Sequence, residues 1–478
     1  MIDVAAPFRR AGAVVRHGAR GRVRGWGERF VASVGVPFFL VACTYTYYGQ
    51  LNRQQTADTF GVYYTSVALV QQRTIWLDDY VQYIEQRAGE QPAMVAAGPG
   101  GHIVNRTPSA SSILALPAVA AFSAAGAEPQ DWEAWMEAGM LTAALTAAAT
   151  VALVFVLLTR LTSRRRAALL AGVFAWATLE WGVSGQALWQ HTGATLSLAI
   201  ALLAFHDRRL ATAGAFVALM IAFRVSTPVI ALFLLPLVGR RPRDWGRFLL
   251  GIVPFALPLL VYNTVTFGSP IHQGYGMDHL TPFLNPHPML AAQGIPGLLI
   301  SPGRGLFVYS PVLLFAIVGA VRGWGVPLYR WCAVAAAAYV VVIANGEPWT
   351  VGEVFGARKL TDILPLLAVL LVPGVAAVVG TRWIWLFGAA GAWSFFVELL
   401  AAAAAPPGLW FNAAREVPLD FTKFGTWWHP TDNELVALLG SPNLAPRLAL
   451  MLAIFVGALA LGQLTARTIE LLRRRVAS

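Results

Sequence analysis

Residues 142–158 read TAALTAAATVALVFVLL, and residues 159–166, which follow at once, read TRLTSRRR. With its flanks, the uncharged run approaches the ~20 residues that cross a hydrocarbon core. Arginines gathered at one end of such a run mark the side kept in the cytoplasm. The pairing recurs along the chain. Further apolar runs nearly free of charge occupy 31–41, 194–205, 248–262, 333–344, 364–379 and 448–461. Basic runs stand at Arg9–Arg10, Arg16–Arg24, Arg160–Arg166, Arg208–Arg209, Arg240–Arg247 and Arg473–Arg475. The remaining junctions carry Asp58, Asp78–Asp79, His272, Arg304, Glu347, Glu353, Arg358–Lys359 and Trp427–Trp428.

The chain is 57% hydrophobic and 12% charged, which excludes an ordinary soluble domain. Its net charge of +11 is unevenly divided: the basic side holds 24 Lys+Arg and 5 Asp+Glu, the other side 11 and 19. That asymmetry is a topology signal, not a nucleic-acid footprint. Cys43 and Cys332 both lie in apolar runs, so neither a disulfide frame nor a metal-ligand set is expected. Only Lys359 and Lys423 are lysines, a bias that fits a high-GC genome and a bacterial plasma membrane.

Charge alternation then sets the topology. The basic N-terminus, 1–29, is placed inside, and the first span ends near Tyr48. Residues 49–112 form a long first outer loop, in which Tyr63–Val70 reads as an amphipathic helix lying flat on the outer leaflet. If 113–125 crossed, Arg160–Arg166 would lie outside, so this piece is read as re-entrant or interfacial. Residues 211–238 go out and back as two short helices broken near Arg224–Pro228. The expected fold is an all-α polytopic membrane protein of about twelve crossings. Its membrane domain spans 30–466, with further outer loops over 267–305, 346–360 and 405–445. A basic inner tail covers 467–478.

The polar clusters collect on the outer side. A carboxylate near the membrane surface, such as Asp58, can take a proton from a hydroxyl nucleophile, with Asp78 and Asp79 as fallback bases. His191, in Trp189-Gln190-His191-Thr192, can contact a phosphate or sugar oxygen, and Arg224 stands at a helix break where it can meet an anion. Arg304, between two glycines before a helix, suits anion binding. Arg358 and Lys359 are adjacent cations beside an outer helix start. His272, Tyr275 and Glu353 supply further polar contacts for a substrate. Together these groups suit a reaction between a lipid-borne phosphate leaving group and a hydroxyl acceptor.

With these residues in view, the chain resembles the bacterial membrane glycosyltransferases of the GT-C superfamily, in the branch similar to protein O-mannosyltransferases and aminoarabinose transferases. The resemblance runs from about residue 30 to 380. It rests on the early Asp58, Leu188-Trp189-Gln190-His191, Arg224 with Thr227-Pro228, Asn263 through Phe267-Gly268-Ser269-Pro270 to Gly274-Tyr275-Gly276, Ser301-Pro302-Gly303-Arg304-Gly305 with Tyr309-Ser310-Pro311, and Gly356-Ala357-Arg358 with Asp362 and Pro365. The chain departs from the pattern at Thr59, at Arg106-Thr107-Pro108 and at Ala357.

The resemblance implies a GT-C-like bundle and a polyprenyl-phosphate-linked sugar as donor. Transfer would occur on the outer face with inversion, to a hydroxyl of a glycan, lipid or protein. It implies Asp58 as general base, and Arg358 with Lys359 or Arg304 at the departing phosphate. A divalent cation is compatible with this, although no ligand spacing demands one. A non-catalytic protein of the same fold, a lipid-linked sugar carrier or an assembly scaffold, is the competing expectation. A secondary transporter is disfavoured, because no internal repeat is evident and the ionisable groups collect at one surface.

Overall fold

The computed structural model describes residues 34–53, 55, 57–88, 94–272, 274, 288–346, 349, 355–404 and 433–477 of the 478. The described residues are helical apart from one short ribbon, an architecture compatible with an all-α membrane protein. Six of the described helices are long and apolar enough to cross a bilayer: Trp132–Leu161, Pro242–Phe267, Pro327–Asn345, Arg358–Val378, Trp383–Ala403 and Leu444–Val476. The last helix runs on unbroken to Ala477, so residues 467–477 continue it instead of forming a separate tail. The remaining pieces of the twelve-span expectation are shorter. They include Val36–Tyr48, Arg164–Trp176, Gln190–His206, Leu210–Phe223 and Leu314–Gly323. Proline and polar turns interrupt them: Pro228 opens a new helix after the break at Arg224–Thr227, and Pro311 splits Leu306–Tyr309 from Leu314–Gly323.

Burial separates the inner helices from the lipid-facing ones. The most apolar window of Trp132–Leu161 is 72% buried and that of Arg358–Val378 is 83% buried, whereas Pro242–Phe267 and Leu444–Val476 each bury 11%. On the Pro242–Phe267 helix, Leu249, Leu250, Val253, Leu257, Val261 and Val265 are all exposed. Such a continuous apolar face is stable against acyl chains and not against water.

Two helix crossings depend on glycine because backbones touch there. A Cβ on Gly251 would lie 1.9 Å from the carbonyl oxygen of Ala211, and one on Gly214 2.0 Å from that of Phe248. The same reciprocity joins Leu314–Gly323 to Leu364–Val378, where Gly319 would meet the Leu370 carbonyl at 1.8 Å and Gly374 that of Phe315 at 2.0 Å. Small residues let membrane helices approach closely where apolar burial no longer drives association. Gly374→Val and Gly251→Val are each expected to destabilise by about 3 kcal/mol, because backbone rather than a flexible side chain must move. Gly457→Ala, on an exposed helix face with nothing within 4 Å, should be neutral or slightly stabilising. Thermal unfolding in detergent separates the two classes; equal melting temperatures for all three would refute the backbone-contact account.

The two kinds of polar cluster lie at opposite ends of the bundle. At one end Arg160 pairs with Asp207 (3.7 Å), Arg208 with Asp244 (3.0 Å), and Arg164 Nη2 donates to the Val34 carbonyl (3.0 Å). At the other end of the same Trp132–Leu161 helix, Tyr48 donates to Glu137 (2.7 Å) and Arg53 pairs with it. Thirty residues, about 45 Å of helix, span the distance between those ends.

The segment 49–112 differs from its expected form. The helix Ala57–Gln71 is buried on every side from Thr59 to Ala68, so it is not an amphipathic helix lying on the leaflet. Phe60 meets Trp132 edge-on at 4.7 Å, and Ser66 donates to the Ser112 carbonyl at 2.9 Å. These contacts tie the helix to Ala110–Ala124 and Trp132–Leu161. The amphipathic element is Val81–Ala88, which buries Ile84 and exposes Gln82, Glu85 and Gln86. An antiparallel ribbon, Val95–Ala97 with Ile103–Asn105, closes through the Pro99–Gly101 turn. Ala110–Ala124 has 15 residues, about 22 Å of helix, too short to cross.

Candidate functional site

Asp58 and Arg358, 300 residues apart in sequence, form an ion pair. Asp58 sits in the first turn of Ala57–Gln71, and Arg358 opens the 3-10 turn Arg358–Ile363. The turn is reached through Gly356, whose φ of 57° lies in the region that glycine tolerates best. Arg358 is held on its other sides as well. Its guanidinium lies 4.4 Å over the Trp189 ring, and its Nε donates to His191 Nε2 at 3.3 Å. An arginine N–H can only donate, so Nε2 of a neutral His191 accepts and the ring proton belongs on Nδ1. Nδ1 then donates to Asp362 Oδ1 at 3.0 Å.

Asp362 is the hub of this network. It is 1% exposed and takes Arg224 Nε at 2.6 Å on Oδ2, where the Tyr339 hydroxyl also donates. Tyr339 in turn meets Ser226 Oγ at 2.9 Å. Four segments thereby converge: the first turn of Gln190–His206, the break after Leu210–Phe223, the middle of Pro327–Gly346 and the 3-10 turn. Two arginines face two carboxylates, so the buried charges are balanced. The Asp58–Arg358 pair is the more open part, with side chains 22% and 11% exposed.

A second buried cluster adjoins the first. Glu434 Oε2 accepts from Gly356 N at 2.8 Å and from the Tyr309 hydroxyl at 3.3 Å. Arg304 faces it, buried to 2% exposure. Burial pushes the Glu434 carboxyl up to about 7, opposed chiefly by the Arg304 charge. Burial also draws Arg304 down to about 10, opposed chiefly by Glu434, and the neighbouring Arg358 charge adds slightly to the fall. Arg304 therefore stays charged at neutral pH, and Glu434 is its nearby counter-charge only when ionised. Lys359 is buried in the turn beside Arg358.

An apolar cavity of about 470 Å³ is lined among others by Leu299, Leu306, Trp324, Val340, Ile363 and Leu367. Its lining includes Val340 and Ile363, each next in sequence to a residue of the hub, Tyr339 and Asp362. It extends to Trp324, just past the end of Leu314–Gly323.

Asp78 and Asp79 lie elsewhere. Asp78 pairs with His102 (3.1 Å) and takes the Ile103 N–H, while Asp79 accepts from Gln72, all on an exposed face of the first loop. Neither contacts Arg358, which removes the geometric reason for holding them as fallback bases. His272 is half-buried in a turn where its backbone N–H donates to Ser269 O at 3.2 Å. Tyr275, Glu353, Glu347, Trp427 and Trp428 lie outside the described residues. Sequence reading did not single out Tyr339, Glu434 or the hub role of Asp362. Tyr339 had a signal, as the one polar side chain in the run 333–344. Among the described residues no group of three or more His, Cys, Asp and Glu side chains stands close enough to hold a metal.

No family model, no curated protein and no solved structure matches this chain.

Proposed function

We propose that the protein is a membrane glycosyltransferase of GT-C type, moving a sugar from a polyprenyl-phosphate donor to a hydroxyl acceptor with inversion. The observation that carries the reading is the contact between Asp58 and Arg358 at the end of the bundle away from the arginine runs. The apolar cavity beside the hub supports it, because a lipid-linked phosphate needs room for its chain next to the cation that holds its head.

The transfer is a single displacement. The acceptor oxygen attacks the anomeric carbon as the bond from that carbon to the phosphate oxygen breaks. Asp58 takes the acceptor's proton, and the polyprenyl phosphate departs with the bonding electrons. A carboxylate is a weak base for an alcohol, but proton transfer late in an oxocarbenium-like transition state makes the attacking oxygen acidic enough. Arg358 stabilises the charge that develops on the leaving phosphate, already oriented by Trp189 and His191. In the resting site Asp58 occupies Arg358, so the donor phosphate must replace it, and the exchange frees the carboxylate to act.

The test is turnover by the purified protein of polyprenyl-phosphate sugars, read as transfer or release of labelled sugar. Failure with every donor of this class would remove the enzyme reading and leave a carrier or scaffold. The charge asymmetry of the sequence supports a site on the outer face of the plasma membrane, with both termini inside. Single cysteines at two exposed positions check this, since Cys43 and Cys332 are buried. Gln82→Cys should react with an impermeant maleimide on intact cells, and Arg243→Cys only after permeabilisation. The reverse pattern would invert the topology.

A further inference from the structure

Glu434 lies outside the stretch that carries the family resemblance, yet it touches the turn that presents Arg358. Its short helix, Glu434–Leu439, is fixed by Asn433, whose side chain accepts from Val436 N at 3.2 Å, and by the buried Leu438. From there one carboxylate oxygen takes both Gly356 N–H and Tyr309 O–H. The Tyr309 ring braces the same turn from its other side: a Cβ on Gly356 would come within 2.9 Å of it. Two residues on from Gly356 is Arg358. Among the described residues the other carboxylate oxygen, Oε1, is buried without a hydrogen-bond partner, and Arg304 is a nearby cation whose charge acts on Glu434.

We infer that Glu434 is a positioning residue of the anion site, holding the Gly356 turn in place and setting how much of the Arg304 charge reaches a phosphate on Arg358. The inference rests on the phosphate reading of Arg358. Two separable actions follow. The hydrogen bond from Gly356 needs only an acceptor oxygen, which glutamine retains and alanine lacks. The counter-charge needs an ionised carboxylate. Among the described residues, the charged or titratable groups acting on Glu434 and its partner Arg304 are Arg304, Tyr309 and, one step further, Arg358. As a neutral acid, Glu434 leaves Arg304 uncompensated and the site more positive. As a carboxylate, it offsets Arg304 and repels the incoming phosphate. Its carboxyl changes state near neutrality, so the contrast falls between pH 6 and pH 8.

The experiment measures binding of a short-chain polyprenyl phosphate to full-length protein in detergent at pH 6 and pH 8. Wild type, Glu434→Gln and Glu434→Ala are compared, with melting temperatures read in the same preparations. The phosphate itself gains charge over this range, so the quantity read is the affinity ratio of Glu434→Gln to wild type. It should be near one at pH 6 and about tenfold in favour of glutamine at pH 8. Glu434→Ala should bind several-fold more weakly than Glu434→Gln at both values. Should the glutamine variant fail to fold, Arg304→Gln carries the test, lowering affinity more at pH 6 than at pH 8. A ratio that does not move with pH, or an alanine variant that binds as well as the glutamine one, overturns this inference alone. No binding by wild type at either pH overturns the phosphate site, and this inference with it.

Discussion

Asp58→Asn should abolish sugar transfer while making the protein bind polyprenyl phosphate more tightly. The first effect follows from removing the base: positioned proton transfer contributes about 10²- to 10⁴-fold, and an amide cannot supply it. The second follows from the ion pair. Arg358 is fixed by the Trp189 face and by His191, so only its Asp58 side can be given up to a ligand. The pair is part-buried, and exchange for a phosphate leaves Arg358 matched by another anion, so its charge is never left without a partner. With asparagine at 58 no carboxylate competes, and affinity should rise about tenfold, or ~1.4 kcal/mol. Labelled-sugar transfer and equilibrium binding on the same preparation read both effects. The opposite signs are the diagnostic part: if Asp58 only braced its helix, its loss would weaken turnover and binding together. Normal turnover by Asp58→Asn would end its assignment as base.

The division into two ends was legible in sequence because charge is so costly in a bilayer that its placement is restricted. The runs at Arg160–Arg166, Arg208–Arg209 and Arg240–Arg247 do meet in space, through Asp207 and Asp244. The break at Arg224–Pro228 was legible for a local reason, since proline cannot continue the preceding helix. The setting of Ala57–Gln71 was not. Its tyrosines, serine and threonines look amphipathic when an interface is assumed, yet Phe60, Tyr63 and Tyr64 pack around Trp132, which no local pattern announces. Six of the described helices are long enough to cross, and the other expected spans are shorter pieces, because apolar runs do not reveal where a helix breaks, as at Ser310–Pro311. Within the site, Asp58, His191, Arg224 and Arg358 were identified by residue type and side. Asp362 entered only as part of the resemblance motif, because its partners come from three segments 23 to 171 residues away.

Asp362→Asn is the substitution expected to cost most in stability. The side chain is 1% exposed, and all three of its partners donate: His191 Nδ1–H, Arg224 Nε–H and the Tyr339 hydroxyl. An asparagine offers one oxygen where two are used, and its amide N–H groups would confront donors. Arg224 would keep its charge with its side chain 15% exposed and its carboxylate gone. Removing one partner of a buried pair costs about 3–5 kcal/mol, far more than the pair contributes net. The damage should also spread. If His191 rotates its proton to Nε2 so that Nδ1 can accept from the asparagine amide, Nε2–H then faces the Arg358 Nε–H, donor against donor, and Arg358 loses an anchor. Asp362→Asn should therefore lower the melting temperature by several degrees and weaken phosphate binding, although Asp362 does not touch Arg358. Arg224→Gln in the same chain removes the orphaned charge and should recover much of the stability. It should not recover phosphate binding, because the histidine tautomer is still unset. A double-mutant cycle on thermal unfolding gives the coupling. A single variant as stable as wild type, or a double variant no more stable than the single, would show that Asp362 is not the hub this geometry makes it.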